Sequence, residues 1–66
     1  MTIGEKISEL RKEQGMSQHA LAKKIGCAKN LVPLWEAGKF TPSLFNAICL
    51  ADVFNISLDE LCCRDL

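Results

Sequence analysis

Four cysteines and one histidine are the side chains of this 66-residue sequence best suited to metal binding, thiol chemistry or acid–base catalysis. Their spacing argues against all three. Cys27, Cys49, Cys62 and Cys63 include no C-x-x-C pair, and His19 has no second histidine at ligand spacing. Adjacent cysteines such as Cys62 and Cys63 rarely chelate one tetrahedral ion together. Met1 runs at once into a charged, helix-periodic segment, so no secretion signal is read and reduced thiols are expected. Intermolecular crosslinking of Cys62 and Cys63 on oxidation is the minor alternative. The sequence offers no nucleophile–base pair, no paired carboxylates and no phosphate-cradling glycine loop. It is therefore not read as an enzyme, and no metal, cofactor or small-molecule ligand is expected.

A second set of residues points to different chemistry. These are the lysines and arginines, which are spread unevenly along the chain. The net charge is zero, which by itself disfavours a nucleic-acid partner. Yet residues 1–40 carry seven Lys/Arg against four acids, a balance of +3. Residues 41–66 carry Arg64 against Asp52, Asp59, Glu60 and Asp65, a balance of −3. A chain polarised in this way either presents a basic half to an anionic partner or simply carries ordinary solvated helix faces, and charge alone does not choose between them.

The elements that must position these residues are read from periodicity and punctuation. An apolar content of 48% suits one compact domain over residues 1–66, and no apolar run is long enough to cross a membrane. A soluble, cytoplasmic protein is expected. Five short helices and no strand are predicted. The first spans about Thr2 to Gln14, opened by a Thr2/Glu5 capping box and striped by Ile3, Ile7 and Leu10. Gly15 ends it. Ser17 caps the second, Gln18 to Ile25, whose inward residues are Ala20 or Leu21, Ala22 and Ile25, and Gly26 stops it. The third occupies about Lys29 to Ala37 and ends at Gly38. The fourth, Leu44 to Phe54, starts from Thr41–Pro42 or from Ser43, and Leu44, Ile48 and Ala51 line one face, broadened by Ala47, Leu50 and Phe54. Asn55 breaks it, and Ser57 with Glu60 makes a capping box for the last helix, Leu58 to about Cys63.

Two short helices joined by Gly26-Cys27-Ala28 describe a helix-turn-helix over residues 17–38. In such a pair the first helix braces the second, and the second has the width of a B-DNA major groove. The residues then carry a specific resemblance. Ile3-Gly4-Glu5-Lys6-Ile7, Leu10-Arg11, Gly15-Met16-Ser17-Gln18 and Leu21-Ala22 resemble the Cro and phage-repressor (Xre-like) helix-turn-helix domains. So do Trp35-Glu36-Ala37-Gly38-Lys39, Pro42-Ser43-Leu44, Leu50-Ala51 and Ser57-Leu58-Asp59-Glu60-Leu61.

The resemblance implies an all-α five-helix domain that regulates transcription as a homodimer on a palindromic operator of double-stranded DNA. The third helix, about residues 29–37, would be the reader, in a bacterial cell or a phage-infected host. Carried over by position, Gln18 would fix a phosphate, Lys29 and Asn30 would touch base edges, and Leu34 would lie one turn further along. Lys39 and Thr41 would meet the DNA backbone. Asn pairs with adenine, Lys with guanine, and Leu contacts a thymine methyl. Arg11 and Glu36 match a structural ion pair, and Trp35, Leu21, Ile25 and Val32 are read as core. The bland alternatives are a solvated lysine at Lys29, a helix cap at Asn30 and a core leucine at Leu34.

The third helix departs from the pattern. Ala28 stands where a Ser or Thr cap is usual, and Pro33 falls mid-helix, where proline costs about 3 kcal/mol. Either the helix starts late, with Asn30 as cap and Pro33 in the first turn, or it kinks. The late start is favoured on energy. The apolar run Leu31-Val32-Pro33-Leu34 also supports an alternative function, a helix-turn-helix scaffold used as a protein-interaction module with weak or no DNA binding. A dimer is expected to bury Leu61, Cys62 and Leu66.

Overall fold

A computed structural model describes residues 1–63, which contain five helices and no strand. They are α1 (Ile3–Glu13), α2 (Gln18–Ile25), α3 (Leu31–Glu36), α4 (Leu44–Phe54) and α5 (Leu58–Leu61). The all-α expectation holds, and local chemistry explains most boundaries. Thr2 Oγ1 accepts from the Glu5 N–H at 3.1 Å while Glu5 Oε1 accepts from the Thr2 N–H at 2.8 Å, so the capping box is complete. Ser17 accepts from the Ala20 N–H, and Gly26 closes α2 in the left-handed region at φ 77°. Of the two starts open for α4, Ser43 is the one used, accepting from the Asn46 N–H at 3.2 Å. Asn55 ends α4 at φ 55°, a conformation that asparagine tolerates.

Two expectations at the C-terminal end are corrected. Only the Ser57 half of the second capping box forms, with the Glu60 N–H donating to Ser57 Oγ at 3.0 Å, and α5 ends at Leu61. The inward face of α4 is Ala47, Leu50, Ala51 and Phe54, while Leu44 and Ile48 are exposed. This helix is apolar almost all the way round, so periodicity alone could not choose its buried side.

The core joins Ile7 of α1, Leu21 and Ala22 of α2, Val32 and Trp35 of α3, the α4 residues and Leu61. Ile3, Leu10, Met16 and Ile25 pack against it partly buried. Ala20, an alternative inward residue of α2, is exposed. The pair α1 and α3 approach closely at Gly4, which is buried inside α1. A Cβ there would drive into the Trp35 carbonyl oxygen. Glycine at this position thus gives up helix propensity, about 1 kcal/mol, for backbone contact between two helices.

Candidate nucleic-acid interface

The third helix takes the late start favoured above and is shorter than the span of about 29–37 that the family resemblance implies. It begins at Leu31, not Lys29, and its last residue is Glu36. Asn30 occupies the cap position as the late-start reading expects, but its backbone is already helical at φ −81°, ψ −9° and its side chain makes no capping bond. The turn before it closes instead through the Leu31 N–H donating to the Ala28 carbonyl at 3.1 Å. Pro33 is the third helical residue. The first N–H groups of any helix lack an intrahelical acceptor, so proline forfeits no bond there. The Ala37 N–H donates to the Pro33 carbonyl at 2.9 Å and the Lys39 N–H to the Leu34 carbonyl at 3.0 Å, with Gly38 at φ 77° turning the chain away.

With little local stabilisation, α3 is fixed from within the fold. Val32 is 0% and Trp35 2% exposed. Glu36 is the second anchor. Arg11 of α1 grips it with two bonds, Nε to Oε2 at 2.7 Å and Nη2 to Oε1 at 3.1 Å, while Nη1 donates to the Met16 carbonyl at 2.8 Å. Gln18 Nε2 donates to the same Oε1 at 3.0 Å. Burial alone would raise the Glu36 carboxyl, but the bonds from Arg11 and Gln18 outweigh it and hold the group below the ordinary carboxylate range. The same pairing raises Arg11. One carboxylate therefore ties together α1, the first turn of α2 and the end of α3.

Gln18 was expected to hold a phosphate, and its position is informative. It is the first residue of α2, half-buried, and one of its two amide hydrogens is committed to Glu36. The second remains, beside the Gln18 and His19 N–H groups that the helix itself cannot bond. Lys29 and Asn30 are exposed at the head of α3, and no hydrogen bond or ion pair engages either side chain among the described residues. Leu34 is half-buried, and Pro33 and Ala37 are exposed. Lys39 and Thr41 are exposed in the following loop. Thr41 also lines a groove of about 430 Å³ with Met1, Ile3, Leu44, Leu58 and Cys63.

The stretch from Gln14 to Trp35 contains Lys23, Lys24 and Lys29 and no acid at all. The next acid, Glu36, is neutralised by Arg11. All three lysines and His19 are exposed. This stretch through α2 and into α3 thus exposes three lysines with no acid among its own residues, a composition suited to phosphate. Two features around this site were missed by sequence reasoning. The Gln18–Glu36 bond spans eighteen positions with no periodic signal. The Gly4 contact had a signal, a glycine inside a helix, that periodicity reading passes over. The four cysteines are free thiols, two of them half-buried and Cys62 and Cys63 exposed.

Comparison with known proteins agrees with this geometry. Residues 7–61 match the sequence profile of the Helix-turn-helix family. An uncharacterised HTH-type transcriptional regulator of Archaeoglobus fulgidus is 41% identical over 56 residues, covering 85% of this chain and 80% of its own length. The cryptic phage CTXphi transcriptional repressor RstR of Vibrio cholerae is 34% identical over 64 residues, with 97% of this chain spanning 57% of that protein. The P22 c2 repressor, solved in complex with a synthetic operator, superposes with a TM-score of 0.91 at 29% identity over 98% of both chains. Together with the capped brace, the acid-free stretch from Gln14 to Trp35 and the Arg11–Glu36 anchor, these matches show that the chain belongs to the helix-turn-helix family of DNA-binding transcriptional regulators, in its Cro and phage-repressor (Xre-like) form.

Proposed function

We propose that this chain acts as a sequence-specific regulator whose helix-turn-helix, residues 17–38, seats α3 in the major groove of a palindromic operator. The observation that carries this reading is the acid-free stretch from Gln14 to Trp35, with its exposed lysines and its neutralised neighbour Glu36. Lys29 and Asn30 would face base edges from the head of α3, with Leu34 along the same side. Gln18, held by Glu36, would offer its second amide hydrogen to a phosphate, and Lys39 and Thr41 would meet the backbone beyond the helix. That the P22 c2 repressor, with which this chain superposes, is solved in complex with a synthetic operator supports a duplex-DNA partner.

Two copies would bind two half-sites about 34 Å apart. The dimer cannot bury Leu61 as the sequence suggested, because Leu61 is fully enclosed in its own core; Leu66 lies outside the described residues. A better face is the start of α4 and the loop before it. Phe40, Leu44, Phe45 and Ile48 are 59%, 68%, 73% and 44% exposed. Four large apolar side chains exposed within nine residues would suit an association surface. No helix among the described residues is long and apolar enough to cross a membrane, and a cytoplasmic site of action is part of the same reading.

A salt titration of duplex binding tests the proposal. Affinity should fall steeply as salt rises, and Lys39→Ala, which removes a cation from the backbone contact, should flatten the log–log slope by about one. A folded sample that binds no duplex at low salt overturns the regulator reading and leaves the protein-interaction module.

A further inference from the structure

Adjacent in sequence, Cys62 and Cys63 make a poor metal chelate, but the fold gives their thiols a shared setting. Both are exposed, and both line the groove of about 430 Å³ bounded by the starts of α1 and α4 and by α5. Ile3, Leu44 and Leu58 supply apolar walls. Cys63 Sγ lies 3.8 Å from the Thr2 carbonyl, beside the start of α1. The hydroxyl-bearing Thr2 and Thr41 line the same groove. Thr2 Oγ1 accepts from the Glu5 N–H at 3.1 Å, which leaves its hydroxyl proton free to donate. Apolar walls with a few polar groups, enclosing about 300–1,000 Å³, are the usual make-up of a small-molecule site.

Cysteine sulphur is intrinsically a strong nucleophile. The other two thiols are half-buried, and burial pushes the Cys27 thiol up, which leaves little reactive thiolate there. Reaction is thereby directed to the exposed pair. A ligand that uses the whole lining has an apolar ring for the walls, carbonyl oxygens for the hydroxyls and an electrophilic carbon for the sulphur. We propose that this groove is a covalent capture site for an apolar quinone, with Cys63 as the nucleophile and Thr2 and Thr41 donating to the carbonyl oxygens. The Cys63 sulphur bonds to a ring carbon of the quinone double bond. The electron pair of that double bond shifts to the conjugated carbonyl, whose oxygen takes the thiol proton. The hydrogen on the attacked carbon then moves to the second oxygen as the ring becomes aromatic. The product is a hydroquinone thioether carrying every atom of both reactants, so no oxidant, reductant or leaving group is required.

The test uses the full chain and naphthoquinone. Mass spectrometry should show one adduct of the summed mass, mapped by digestion to Cys63, and its rate should level off at high quinone as the groove fills. Cys63→Ser should lose the adduct and Cys62→Ser should keep it. Leu44→Gln removes an apolar wall at a position already 68% exposed, and circular dichroism should confirm that the fold is kept. This variant should slow the naphthoquinone reaction about tenfold, the loss expected for part of a leucine's apolar contact. Its rate with iodoacetamide, a small hydrophilic alkylating agent, should be unchanged. A quinone rate that stays proportional to concentration, or that Leu44→Gln leaves unaltered, shows a merely exposed thiol and overturns the proposal. An adduct on Cys62 that survives Cys63→Ser overturns the choice of nucleophile. Iodoacetamide labelling of Cys63 that falls as protein concentration rises assigns the groove to a second copy and overturns the quinone site.

Discussion

The two helices of the motif are built on opposite plans. The brace, α2, is held by its own ends, with Ser17 capping the first turn and Gly26 closing the last in a left-handed conformation. The reader, α3, has six residues, no side-chain cap and a proline in its first turn. An isolated helix that short is not stable in water. What holds it is Trp35 and Val32 in the core, the close backbone approach at Gly4 and the Glu36 carboxylate gripped from α1 and α2. Local chemistry specifies the brace and tertiary contacts specify the reader. The outward residues of α3 supply no cap and no side-chain hydrogen bond, so its stability comes from its inward ones.

The largest test of this difference is Trp35→Ala. Removing a buried tryptophan costs about 3–5 kcal/mol, a large share of the roughly 5–15 kcal/mol available to a whole domain. Thermal melts followed by circular dichroism should show the entire fold destabilised, since α3 has no local stability to retain. A melting temperature within a few degrees of the parent would refute the tertiary account.

Glu36→Gln comes next. It keeps the shape and removes the charge that Arg11 faces, leaving a guanidinium whose side chain is only 11% exposed without its counter-ion. Losing one partner of a buried pair costs about 3–5 kcal/mol, and this pair's residual exposure places the expectation at the lower end. The same carboxylate predicts a pH dependence. Its folded-state pKa lies below its unfolded one, so its contribution is complete above the ordinary carboxylate pKa. It is lost as the pH falls through the lower, folded-state value. Melting temperature against pH should therefore decline on the acid side more steeply for the parent than for Glu36→Gln. Parallel curves would show that the carboxylate has no such role.

The smaller effects separate the two helices directly. Ser17→Ala deletes the cap of α2 and should cost about 1 kcal/mol by chemical denaturation. Pro33→Ala should destabilise by about 0.5 kcal/mol, because it breaks no hydrogen bond and only frees the unfolded chain. This reverses the strain expected of a mid-helix proline; a gain of 1 kcal/mol or more on replacing it would restore that earlier view.

How far the fold was legible follows the same division. Thr2, Ser17, Gly26, Ser43 and Asn55 each act within four residues of themselves, and each was readable as punctuation. The late start of α3 was readable too, because a proline's cost in a helix interior leaves few alternatives. The buried side of α4 was legible only in part. Ala47, Leu50, Ala51 and Phe54 were within the apolar face read, but a helix apolar almost all the way round gives no periodic reason to leave Leu44 and Ile48 outside it. The second half of the α5 capping box was not legible, where the right residue types at the right spacing make one bond and not two. Among the candidate site residues, type and position indicated Lys29, Asn30 and Lys39 as exposed. The tie from Gln18 to Glu36 depends on the packing of α2 across α3, which no local pattern encodes.

That tie has a consequence for the thermodynamics of recognition. A glutamine at a helix start ordinarily samples several rotamers, and fixing it on contact with a ligand costs about 0.5–1.5 kcal/mol of lost freedom. Here the bond to Glu36 has already chosen one rotamer in the unbound molecule, and the ordering cost is met during folding. Any anion arriving at the head of α2 would meet a donor already in place, and the gain would register as a smaller entropic penalty of association.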